Sequence, residues 1–186
     1  DEIHAPLTYV TEDFYPFLAI SDNARRVGIT ITSASKSFNI AGLKCAIIIS
    51  QDERLNDLLA TMPMAVHYRA SLFGGVASAA AFAHGSSWLT TALGQLDENR
   101  RLLDSLIRSR IPAIKYRIPD CSYLAWLDLS ALNLGDNPAA TLLERGRVAL
   151  NSGHTYGAPY SQFARMNFAT SPELITDGIE RILKAI

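Results

Sequence analysis

Ser33-Ala34-Ser35-Lys36-Ser37-Phe38-Asn39 sets one lysine among small hydroxyl side chains. Just before it, Val27, Ile29 and Ile31 alternate with Gly28, Thr30 and Thr32. A period of two sends successive side chains to opposite faces, so residues 27–36 are expected to form a strand that runs into the lysine. The Ser and Ala side chains leave room for a flat molecule, and Phe38 offers an apolar anchor. A primary amine at the mouth of a sheet is suited to condensing with an aldehyde. Desolvation and neighbouring charge lower a lysine's pKa and make it nucleophilic. Read alone, the stretch also fits an exposed lysine in a serine-rich loop.

Two other stretches bear on that choice. Asp1-Glu2-Ile3-His4 opens the chain, and Phe163-Ala164-Arg165-Met166-Asn167-Phe168-Ala169-Thr170-Ser171-Pro172 lies near its end. With the lysine stretch, continued to Ala41-Gly42-Leu43-Lys44, and with Tyr123-Leu124-Ala125-Trp126-Leu127-Asp128, they resemble the pyridoxal-phosphate enzymes of the class I/II aminotransferase family, fold type I. The similarity is strongest to the MalY/PatB branch, the cystathionine β-lyase-like carbon–sulfur lyases. The lysine stretch is specific for the family, and Asp-Glu-Ile-His is the main mark of the branch.

The resemblance implies an α/β chain that is the C-terminal part of a pyridoxal 5'-phosphate (PLP)-dependent transferase fold. Residues 1–87 would be a remnant of the PLP-binding large domain and its sheet. Residues 88–186 would be a linking long helix and a small α/β C-terminal domain. A chain opening on Asp-Glu-Ile-His without methionine is expected to be a fragment. By itself it is expected to bind PLP weakly, to expose sheet edges and to be inactive. The full-length enzyme is expected to be a homodimer.

The resemblance also assigns roles. Lys36 is the catalytic residue, which carries the cofactor and then, freed, takes the substrate's α-proton. Asp1 pairs with the pyridine nitrogen; a carboxylate there keeps the ring cationic and able to drain charge from the α-carbon. His4 stands where most aminotransferases place a tyrosine beside the phenolic oxygen, and it can donate the same hydrogen bond. Ser33 and Lys44 contact the phosphate. Lys44 replaces the usual arginine, a point charge in place of a bidentate fork. Arg165 grips the substrate α-carboxylate through two parallel hydrogen bonds. Without the resemblance, Asp1 and His4 read as a solvated terminus, Lys44 as a surface charge and Arg165 as half of a structural ion pair.

The reaction implied is cleavage of the Cβ–Sγ bond of cystathionine-like amino acids. A PLP-dependent aminotransferase built from the same parts is the alternative. A third reading is the effector-sensing, aminotransferase-like part of a transcription regulator, which Asp-Glu-Ile-His argues against. The substrate side chain is not legible.

Composition agrees with an enzyme of small molecules. The chain is 48% hydrophobic with a formal net charge of −1, so nothing steers it to nucleic acid or membrane. The purely apolar runs, such as 46–49 and 79–83, are far too short to cross a bilayer. Cys45 and Cys121 lack metal-ligand spacing, no metal site is expected, and both read as buried free thiols of a cytoplasmic protein. His67, His84 and His154 read as surface or turn residues.

Along the chain, 5–23 reads as loop with a short helix and 45–50 as a strand. Asp52 caps a helix that Pro63 ends, and His67 and Arg69 follow in a polar turn. A small-residue helix runs over 71–84 and stops at Gly85. Ser87 caps a helix reaching about Arg110, with Asp97, Glu98, Arg100, Arg101 and Asp104 read as its solvated face. Strands are expected at 115–118, 122–129, 148–150 and 163–168. Asn137 and Pro138 start a helix stopped by Gly146, and Ser171 and Pro172 start the last, lined by Ile175, Ile179, Ile182 and Ile186.

Overall fold

The computed structural model describes residues 1–9 and 12–186. They form two compact units, Asp1–Leu93 and Gly94–Ile186.

The first unit opens with a short helical turn, Ala5–Leu7, that buries Leu7. Helix α1, Asp22–Val27, is capped by Ser21, whose hydroxyl accepts from the Ala24 amide at 3.1 Å. The strand predicted from residue 27 begins only at Thr30, because Val27 ends α1 and the chain then turns tightly at Gly28. A Cβ at Gly28 would lie 2.5 Å from the Ala24 carbonyl oxygen and 2.6 Å from Leu18 Cδ2. Strand β1, Thr30–Thr32, pairs antiparallel with β2, Ile47–Ile49, in the register Thr30↔Ile49, Ile31↔Ile48 and Thr32↔Ile47. Thr30 is buried, whereas Ile31, Ile47, Ile48 and Ile49 are each about 40% exposed. Residues 34–39 are turns rather than strand, so Lys36 stands beyond the sheet.

Asp52 caps α2, Glu53–Ala60, by accepting from the Leu55 amide at 3.1 Å. Pro63 does not end that helix. It is the N-cap of α3, Met64–His67, which takes His67 out of the predicted turn. Helix α4, Leu72–His84, has Ser71 as its cap and stops at Gly85. Helix α5, Ser86–Arg110, follows at once, and the boundary between the units falls within it.

The second unit is a four-stranded antiparallel sheet and its helices. The strands are β3 (Lys115–Tyr116), β4 (Leu124–Asp128), β5 (Asn151–Ser152) and β6 (Phe163–Asn167), in the order β3-β4-β6-β5. Predicted strand 148–150 is displaced to β5, since Arg147 turns the chain in the left-handed region (φ 56°) before it can extend. Helix α6 is Pro138–Gly146 and α7 is Pro172–Ala185. The left-handed stop of α6 is Arg147 (φ 56°) rather than Gly146, whose missing Cβ instead makes room for α7: an added Cβ would lie 2.9 Å from the Arg181 carbonyl oxygen. Ile175, Ile179 and Ile182 of α7 are fully buried with Leu103, Leu127 and Leu142. Each such side chain contributes roughly 1.5–3 kcal/mol. Ile186 departs from the predicted stripe, being half exposed beyond the last turn.

Arg100 is also not on a solvated face. It is 4% exposed, donating from Nε to Asp97 at 2.6 Å and from Nη1 to the Pro119 carbonyl at 2.7 Å. Cys45 and Cys121 form no disulfide with each other and are only half-buried. Among the described residues, no helix is long and apolar enough to cross a membrane, and no cluster of His, Cys, Asp and Glu could hold a metal.

Candidate active site

The lysine turn is held from within and from beneath. Ala34, Ser33 and Ser37 flank Lys36 and are almost wholly buried. The Phe38 amide donates to the Ala34 carbonyl at 3.0 Å and the Ile40 amide to the Ser35 carbonyl at 3.1 Å. Phe38 seats the turn on the α4–α5 junction, 5.8 Å edge-on to Phe82 and 6.0 Å from Trp88 between ring centres. Gly85 makes that seat possible, since a Cβ there would meet the Phe38 ring at 2.5 Å. Lys36, half-buried, therefore sits on a braced turn with small side chains around it.

Ser33 does more within the turn than its spacing suggests. Its hydroxyl donates to the Cys45 carbonyl at 2.6 Å, and it accepts from the Ser35 amide at 3.0 Å and the Ser35 hydroxyl at 2.6 Å. That exhausts a hydroxyl's one proton and two lone pairs. A phosphate contact by Ser33 requires its proton to leave Cys45. Ser37, missed by the sequence reading, has a buried hydroxyl with no hydrogen-bond partner. Only its position next to the lysine could have signalled it.

The opening residues lie against β1. The Glu2 amide donates to the Ile31 carbonyl at 2.8 Å, and the Thr32 hydroxyl donates to the Glu2 carbonyl at 3.4 Å. Glu2 also accepts the Phe17 amide at 2.8 Å. Asp1 and His4 are thereby fastened beside the strand that feeds the lysine turn. The Asp1 carboxylate accepts the Ile3 amide at 3.0 Å and is otherwise exposed. His4 is half-buried, and its carbonyl accepts the Leu7 amide at 2.8 Å. Lys44 is exposed, in the left-handed region at φ 55°, and its carbonyl accepts the Ser71 amide at 3.1 Å. Asp1, His4, Ser33, Lys36 and Lys44 all belong to the first unit.

Arg165 belongs to the second. On β6 it faces Trp126 of β4 and Asn151 of β5. Its Nη2 donates to Asn151 Oδ1 at 3.3 Å, its guanidinium lies over the Tyr156 ring at 5.4 Å, and its Nε is buried without a partner. Burial raises the pKa of nearby Tyr123, against the lowering pull of the Arg165 charge. Asn151 and Tyr156 were not legible as site residues, because only strand register reveals which side chains face Arg165.

A family model, aminotransferase class I and II, matches residues 1–182. A Mycobacterium tuberculosis (strain ATCC 25618 / H37Rv) protein provisionally named as a cystathionine beta-lyase is 37% identical over 205 residues, covering all of this chain and 49% of its own length. The cystathionine beta-lyase PatB of Bacillus subtilis (strain 168) is 32% identical over 193 residues, with the same coverages. The crystal structure of a PLP-dependent beta-cystathionase of Corynebacterium diphtheriae, also provisionally named, superposes with a TM-score of 0.91 at 35% identity, over 99% of this chain and 48% of that one. The chain thus spans about half the length of the curated relatives it matches. By its match over nearly every residue, this chain belongs to the class I and II aminotransferase family.

Proposed function

We propose that this chain is the lysine-bearing half of a PLP-dependent carbon–sulfur β-lyase acting on cystathionine-like amino acids. The braced Lys36 turn carries the proposal: an amine held on buried small residues, with hydroxyls and a further cation in the same unit. The donor set fits PLP. Lys36 offers an amine to an aldehyde, and Asp1 a carboxylate to a protonated ring nitrogen. Lys44 and the Ser33 hydroxyl offer donors to a phosphate, Ser33 by turning its proton away from Cys45. When bound, PLP supplies the aldehyde and a ring that accepts electrons from the substrate's α-carbon.

The protein's own part is proton handling and orientation. Lys36 Nζ takes the proton from the α-carbon. Asp1 holds a proton on the ring nitrogen, and His4 donates to the phenolic oxygen. Arg165, in the second unit, would hold the α-carboxylate through two parallel hydrogen bonds. The names of the M. tuberculosis and B. subtilis relatives favour sulfur departure from Cβ over amino transfer. The expected partners are an amino-acid substrate and, for the full-length enzyme, a second copy of itself.

The test is an assay of the full-length protein with cystathionine. Release of thiol, ammonia and a keto acid with no keto acid added, lost in Lys36→Ala, is the expected result. Borohydride should fix PLP to the Lys36 peptide. Turnover that requires a keto-acid co-substrate would replace this reading with the aminotransferase one, and PLP fixed at another lysine would defeat both.

A further inference from the structure

Arg165 is held by more than its own strand. Asn151 faces it directly across the β5–β6 pair, and the Asn151 Oδ1 accepts from Nη2 at 3.3 Å. Tyr156 lies under the guanidinium, with Cζ 5.4 Å from the ring centre. Tyr156 is itself braced edge-on against Trp126 at 5.1 Å, and Trp126 stacks on Phe163 at 5.4 Å. Among the described residues, the buried Nε finds no hydrogen-bond partner.

We propose that Asn151 is a positioning residue for Arg165: its side-chain oxygen and the Tyr156 face fix the plane of the guanidinium and present its remaining Nη hydrogens to a ligand carboxylate. This rests on the reading of Arg165 as the carboxylate clamp. The residue type matters physically. A side-chain amide orients the fork and leaves its positive charge for the ligand. An aspartate there would orient it equally well and neutralise it. An apolar residue would leave the Nη2 hydrogens unguided, and bidentate recognition depends on a fixed plane.

The test follows Arg165 in the full-length apoprotein by nitrogen-15 NMR of labelled arginines, its signals identified by their loss in Arg165→Lys. The carboxylate probe is L-alanine, which has no leaving group at Cβ. In the unsubstituted chain, slow rotation about Nε–Cζ should keep the Nη signals distinct, and L-alanine should shift them. In Asn151→Ala the Nη signals should merge and the apparent affinity for L-alanine should fall about tenfold, the loss expected for one hydrogen bond to a charged group. Asn151→Asp should keep the signals distinct yet also lose the L-alanine response, a separation that a purely structural role would not produce. Unchanged rotation and affinity in Asn151→Ala, or identical behaviour of the Ala and Asp variants, would overturn the proposal. If Arg165→Lys binds L-alanine as the unsubstituted chain does, the clamp reading fails and takes this proposal with it. Neither PLP nor Lys36 enters the measurement, so the lyase reading stands or falls separately.

Discussion

Replacing Asn99 by leucine should weaken the second unit more than any surface change. Asn99 is 1% exposed on α5, and its Nδ2 donates to the Phe168 carbonyl at 2.9 Å and the Thr170 carbonyl at 2.7 Å. Those carbonyls belong to the turn between β6, which carries Arg165, and α7. Its Oδ1 accepts from Gln95 at 3.2 Å. Leucine has the same branched outline, with bulkier methyl ends, but no donor. Phe168 is fully buried, so its carbonyl is left with no substitute for the lost bond, while Thr170 is half-buried and recovers part of its loss from water. At about 1–3 kcal/mol for a stranded group and about 1 kcal/mol for an ordinary bond, the sum is about 2–4 kcal/mol. With a urea slope of about 1–3 kcal/mol per molar, the midpoint should drop by about 1–2 M. Trp126 lies in the second unit and Trp88 in the first, so fluorescence in a Trp88→Phe background isolates the relevant transition. Asn99→Asp, with acceptors only, should be at least as damaging. A midpoint shift below about 0.3 M in Asn99→Leu would show that the two carbonyl bonds do not hold the turn.

Three further outcomes are expected. Gly74→Ala places a Cβ 2.2 Å from the Leu43 carbonyl oxygen, so it should displace the Leu43–Lys44 turn and cost about 1–3 kcal/mol, read as a lower thermal midpoint of the first unit. Ser33→Ala strands the Cys45 carbonyl and the Ser35 amide; faster amide hydrogen exchange across 33–38 is the expected sign, and unchanged exchange would contradict the bracing described. At Asp97, burial works to raise the pKa, but hydrogen bonds and charge from Arg101 and Arg100 outweigh it and leave it lowered. A lowered folded pKa gives stability that is present above the unfolded value of about 3.9 and is lost as pH falls through the folded one. Urea midpoints of Asp97→Asn and the unsubstituted chain should therefore differ at neutral pH and converge as pH falls through the lowered folded value.

Local chemistry was legible wherever it is decided within a few residues. Asp52, Asn137 and Ser171 cap helices as read, because a side-chain oxygen reaches an amide three residues on whatever the rest of the chain does, whereas Ser87, also read as a cap, lies inside α5. The α7 isoleucines declared a buried face by their spacing. The stretches around Lys36, Asp1 and Arg165 carried a family resemblance rather than a residue-type signal, and that family is the one the comparisons found. What the sequence left open depends on residues far apart in the chain. The face formed by Val27, Ile29 and Ile31 is exposed while Thr30 is buried, since an alternating pattern cannot say which face finds a cover. Arg100 looked solvated by helical spacing, yet the Pro119 carbonyl and Asp97 draw it inside. Gly146 looked like a stop, but its bare Cα serves the approach of α7. Asn151 entered the site only through β5–β6 register, and Ser33 proved to be tied to Cys45, twelve residues away. Caps and stripes belong to the chain's own geometry, whereas burial and partner choice are settled only when distant segments compete for the same space.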